Sequence, residues 1–126
     1  MENQQEDQKG VIKISEDVVS AIAGLAATDV TGVAGMSGGI AGGIAELLGR
    51  KNLAKGVKVE VTEKEALIDL FLIVDFGVRI PEVAYNVQES VKNAVEDMTG
   101  LNVIEANVHV EGVFLEKDEV KEVEGV

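Results

Sequence analysis

The chain has 126 residues, enough for one domain and too few for two. At that length folding buries about two-thirds of the extended-chain surface, so a core forms without staples. The absence of cysteine excludes a disulfide framework, a thiolate metal site and a thiol nucleophile. A formal charge of −12, with three Phe, one Tyr and no Trp, argues against nucleic acid as a partner, because phosphate neutralisation needs clustered Lys and Arg and base stacking needs aromatic platforms.

Residues 1 to 9 are polar, acidic and glutamine-rich, and read as a disordered acidic tail. They have neither the basic start nor the apolar core of a signal peptide, and no apolar run spans a bilayer without glycine interruptions. A cytoplasmic chain with no membrane span of its own is expected. Gly10 to Ile14 is a candidate short strand. Ser15 then reads as a helix N-cap, with Glu16 and Asp17 in the first turn where acids favour the helix dipole. Val18, Val19, Ile22, Ala23, Leu25 and Ala26 follow on one stripe, and the helix should end near Ala27 to Asp29.

From Gly32 to Gly49 half of the chain's glycines occur in a stretch that carries no charge between Val30 and Ala45. It lacks the Gly-Lys-Ser/Thr of a phosphate loop and the strand-borne Gly-x-Gly-x-x-Gly of a dinucleotide site. Gly35, Gly39 and Gly43 are spaced by four, as are Gly38 and Gly42. On a helix that spacing makes a groove where a second backbone approaches closely; otherwise the segment is a flexible loop with tight turns. Ala41 to Leu48 reads as a short helix capped by Gly49. Arg50, Lys51, Lys55 and Lys58 form the one concentrated basic segment, suited to an acidic surface or to balancing the chain's own charge.

Val57, Val59 and Val61 alternate with Lys58, Glu60 and Thr62 as a half-buried strand, and Glu63 to Glu65 turns it back as a hairpin. The next strand, Ala66 to Phe76, is central. Its even positions, from Ala66 to Phe76, are wholly apolar, whereas Leu67, Asp69, Phe71, Ile73 and Asp75 form a mixed face. The Val18 to Ala26 helix is the internal candidate to cover that mixed face. Should it not, the face is where a partner or a second copy binds.

Pro81 suits the first turn of a second helix, with Ile80, Val83, Ala84, Val87, Val91, Ala94, Val95 and Met98 on its apolar side and Thr99-Gly100 closing it. That helix should cover the even face. A last strand, Leu101 to Leu115, places Ile104, Ala106, Val108 and Val110 opposite Glu105, Asn107, His109 and Glu111, parallel to the central strand. Whether it lies beside that strand or beyond the hairpin stays open. The fold class is α+β, a small mixed sheet of three main strands and a possible fourth with two helices, in the order helix, strand, strand, helix, strand. One domain spans 10–115, with an acidic tail over 116–126.

No enzyme signature emerges. Asp69 and Asp75 are roughly 20 Å apart along an extended strand and cannot act as a pair. His109 reads as a solvated or hydrogen-bonded surface residue. Arg79 suits an anion, or a pairing with Glu82. No catalytic, cofactor or metal residue is expected.

The segments Gly32 to Met36, Ala45 to Gly49, Gly56 to Val61, Gly77 to Pro81, Tyr85 to Val91, Met98 to Gly100 and Val108 to Val110 resemble, in order, the bacterial alkaline shock protein family, also called the envelope stress response family. The resemblance implies a non-enzymatic protein of cell-envelope homeostasis and stress. It implies self-assembly into a homo-oligomer, and placement at the inner membrane face through a small membrane-anchored partner. The glycine-rich segment is most similar to a branch associated with acetyl-CoA carboxylase genes, so the alternative is a regulator that binds a carboxylase subunit in fatty-acid synthesis. The family offers no residues to carry over. The residues expected to mediate association are therefore Gly35, Gly38, Gly39, Gly42, Gly43, Arg50, Lys51, Leu67, Phe71, Ile73 and Arg79.

Overall fold

The computed structural model describes residues 9–38 and 55–115. In order these form α1 (Glu16–Thr28), β1 (Val33–Met36), β2 (Val57–Val61), β3 (Glu65–Asp75), α2 (Ile80–Thr99) and β4 (Asn102–Phe114). The α+β class, the hairpin and both main helices are as the sequence indicates. The helix expected at Ala41 to Leu48 and the tails at 1–8 and 116–126 lie outside the described residues.

β3 is the axis of the sheet. One edge pairs in parallel with β4 along its whole length, from Glu65 opposite Asn102 to Asp75 opposite Phe114. This settles the open strand order: the last strand lies directly beside the central one. The other edge of β3 is shared end to end, β2 pairing with Ala66 to Leu70 and β1 with Leu72 to Val74, both antiparallel. The fourth strand is thus not Gly10 to Ile14, which forms no strand, but Val33–Met36 inside the glycine-rich stretch. Val33 and Met36 supply the apolar side chains that a short edge strand needs, and Met36 is buried.

Local signals set the element ends. Ser15 is extended and its hydroxyl accepts from the Val18 amide at 3.2 Å, as expected of an N-cap. Pro81 lies in the first turn of α2, and Gly100 closes that helix in the left-handed conformation. The β2–β3 turn is held by Thr62, whose hydroxyl accepts from the Glu65 amide at 3.0 Å.

Both helices pack on one side of the sheet. Ala66, Ile68, Leu70, Leu72 and Val74 of β3 are at most 1% exposed and meet Val83, Val87, Val91 and Val95 of α2 and Val19, Ile22, Ala23 and Ala27 of α1 in a single core. α1 therefore does not cover the mixed face. It lies against α2 on the side that carries Ala26, whose carbonyl accepts from the Ser90 hydroxyl at 3.4 Å, while Ser20, Gly24 and Ala27 are buried and Val18 and Leu25 point out. Its buried side is thus rotated from the stripe read in the sequence.

Three further expectations are corrected. Met98, a whole turn past Val95, is exposed where α2 runs beyond the core, and Ile80 at its other end is largely exposed as well. The register of β4 slips at Ile104, which leaves it exposed and places Val103 in the core. Phe76 lies past the end of β3, where the chain turns, and is exposed. At Ile104 and Phe76 a periodicity valid within the element was extended past a register slip or an element end that side-chain pattern does not register.

Candidate functional site: the open face of the sheet

With both helices on the even side, the odd face of β3 has no layer over it among the described residues. The strand registers set its side chains in cross-strand rows. Glu60, Leu67 and Glu105 form the first row, and Lys58, Asp69 and Asn107 the second. Phe71 then pairs with His109, Gly35 and Gly112 flank Ile73, and Asp75 lies opposite Phe114. Leu67, Phe71 and Ile73 are half-buried without any helix above them.

Their cover comes from neighbouring strands. The His109 imidazole stacks on the Phe71 ring, centroids 4.4 Å apart and planes within 11°. Lys58 reaches over the same ring, its Nζ 5.6 Å from the centroid, within the range of a cation–π contact. His109 Nε2 donates to Asp69 Oδ1 at 3.1 Å. That hydrogen bond is the largest influence on the Asp69 carboxyl. With Asn107 and the charges of His109 and Lys58 it holds the carboxyl below its usual value, against a weaker opposing effect of burial. Asp69, stranded between apolar neighbours in the sequence, is thus explained by His109 on β4.

Two elements cross the face at its upper end. Ser37, just past β1, donates its hydroxyl to Glu111 at 2.9 Å, and its amide donates to the Phe71 carbonyl at 2.7 Å. Glu111 reaches Ser37 because it is the extra residue at the second register slip of β4. Gly112 is small for a steric reason: a Cβ there would sit 2.9 Å from Cδ1 of Ile73.

The chemistry on offer is recognition. His109 and Asp69 make an oriented pair, and the nearby Ser37 hydroxyl is committed to Glu111. Among the described residues no three His, Cys, Asp or Glu groups are placed to hold a metal ion. None of the helices described is long and apolar enough to cross a membrane.

Of the residues singled out from the sequence, Gly35, Leu67, Phe71 and Ile73 come together on this face. Gly38 is exposed just beyond β1. Arg79 stands apart as the N-cap of α2, exposed and within 4.0 Å of Glu82. Gly39, Gly42, Gly43, Arg50 and Lys51 lie outside the described residues. Lys58, His109 and Glu111 were missed as neighbours of Asp69 on one surface. The alternation of β2 and β4 already assigned them to the polar faces of their strands; only the strand order was lacking.

The model of the alkaline shock protein family, described by its cell envelope-related function, matches the chain over residues 4–115. The protein YqhY of Bacillus subtilis (strain 168) is 42% identical over 104 residues, spanning 82% of this chain and 77% of its own. YloU of the same organism is 41% identical over 106 residues, spanning 82% and 88%. A stress response regulator gls24 homolog of Streptococcus pyogenes serotype M3 (strain ATCC BAA-595 / MGAS315) is 31% identical over 103 residues, spanning 81% of this chain and 58% of its own.

Proposed function

The chain belongs to the alkaline shock protein family, and from that membership we propose that it is a non-catalytic interaction protein of cell-envelope stress response, acting by partner binding at the open sheet face and by self-association. The family resemblance read from the sequence is borne out; the carboxylase-associated branch stands only as an alternative identity for the partner. One observation carries the reading. A central strand keeps Leu67, Phe71 and Ile73 half-buried on a face that no described helix covers, with a ring of polar groups around them. An apolar floor rimmed by polar side chains is how a protein surface prepared for another protein is built. A peripheral place at the inner membrane face, reached through a membrane-anchored partner, belongs to the same reading.

The test is a photo-crosslinking amino acid placed at Leu67 or Ile73 in the full chain, in the cells that make it, with the partners identified. Reproducible adducts at these positions, absent from the exposed helical position Glu89, are expected. A membrane-anchored protein would fit the envelope reading, and a carboxylase subunit the alternative. Equal or no crosslinking at the two kinds of position would overturn the open face as the interaction surface.

A further inference from the structure

We infer that the open sheet face docks a basic amphipathic segment of a partner protein, its apolar side chains on Leu67, Phe71 and Ile73 and its Lys or Arg side chains on the surrounding carboxylates. The inference rests on the open face being the interaction surface and names the chemistry of its occupant.

Charge decides among the occupants. Across the rows of this face stand Glu60, Glu65, Asp69, Asp75, Glu105 and Glu111, against Lys58 alone among the described residues. The Lys58 ammonium is already placed over the Phe71 ring, opposite Asp69. Asp69 in turn holds His109. Glu60, Glu105 and Glu111 form no ion pair among the described residues. Glu60 and Glu105 flank Leu67 from the two sides of β3. Glu111 lies at the other end, beyond the Phe71–His109 stack. A segment laid along β3 therefore meets acid, apolar floor and acid in sequence.

A second copy brought face to face would set six carboxylates against six with one described lysine each, and like charges opposed across an interface cost affinity. An anionic lipid surface is repelled on the same ground. A cationic segment gains from both ends.

The experiment uses the full chain and fluorescein-labelled decapeptides of alternating leucine with lysine, glutamate or serine, followed by anisotropy and amide chemical-shift mapping. The lysine peptide is expected to bind at least about tenfold tighter than the other two, with the largest shifts between Leu67 and Ile73 and between Glu105 and Gly112. Glu60→Lys, Glu105→Lys and Glu111→Lys together should weaken it at least about tenfold. The exposed helical set Glu82→Lys, Glu89→Lys and Asp97→Lys changes net charge equally and should weaken it far less. Equal weakening by the two sets, or shifts on the helices, would overturn the proposal as mere attraction to an acidic chain. Open-face shifts with the serine or glutamate peptide as strong as with lysine would overturn the basic occupant while leaving the interaction surface standing. Shifts of Leu67 to Ile73 on Arg50→Glu with Lys51→Glu, without any peptide, would also overturn it, by assigning the acids to the chain's own cations.

Discussion

The two faces of β3 are made from the same eleven residues and have opposite fates. On the even face five consecutive aliphatic positions are sealed under two helices. On the odd face three apolar residues stand among Glu65 and two aspartates and are covered, among the described residues, only by what reaches across from β1, β2 and β4. The difference shows how a two-layer fold completes itself. Once α2 crosses over the even face between the parallel strands β3 and β4, α1 packs beside it over the same face, because helix against helix and helix against sheet then share one core. Nothing in the described chain is left for the other side.

The comparison predicts unequal costs for substitutions one residue apart. Leu70→Ala removes a fully buried side chain from the even face and should destabilise the fold by about 3–5 kcal/mol. Phe71→Ala loses the His109 stack and the Lys58 contact on a half-exposed face, and should cost about 1 kcal/mol while weakening partner binding. Urea denaturation of both variants checks this. Equal losses would mean that the odd face is as deeply built into the fold as the even one.

A second test sharpens the comparison where β1 and β2 meet along one edge of β3. Gly56 has φ +78°, and an added Cβ would lie 3.0 Å from both the Phe71 and Ser37 carbonyl oxygens. Those oxygens are backbone and cannot swing aside, and the Gly56 carbonyl itself accepts from the Phe71 amide at 2.8 Å. Gly56→Ala should therefore cost about 2–3 kcal/mol. Hydrogen exchange should show the loss concentrated at Ser37 and Phe71, beneath the open face. Gly112→Ala is the milder partner of this test. Its clash is with the end of the Ile73 side chain, which can rotate away, so about 1 kcal/mol or less is expected.

How much of this was legible depended on range. Ser15 as a cap, Gly100 as a stop, the Val83-to-Val95 stripe and the even face of β3 are written in spacing, and spacing is local. The odd face was legible only as a question. Leu67, Phe71 and Ile73 called for cover, Asp69 and Asp75 for solvent, and the sequence offered α1 as the cover. The structure instead places α1 beside α2 over the even face, in the same core. The site itself was hidden for a topological reason. Lys58, Asp69 and His109 lie on three strands, and only the placing of β4 beside β3 makes them neighbours. The slips at Ile104 and Glu111 have no compositional mark, and the second of them brings Glu111 onto Ser37.

The smallest effect concerns the pair that links β3 to β4 on the open face. Asp69 titrates below its usual value of 3.8, first because His109 donates to it. A carboxyl whose pKa is lowered by folding contributes stability that is fully present above the unfolded value and is lost as pH falls through the lowered folded one. The two side chains are 40% and 45% exposed, so solvent screens the contribution and it should amount to a few tenths of a kcal/mol. In His109→Ala the carboxyl should titrate higher than in the parent. The electrostatic part of the stability difference from the parent should shrink as pH is lowered below 3.8, and the part due to stacking on Phe71 should persist. Carbon-detected NMR of the Asp69 carboxyl in parent and variant reads the shift directly. An unchanged midpoint would mean that Asn107 and Lys58, rather than His109, hold the charge on the open face.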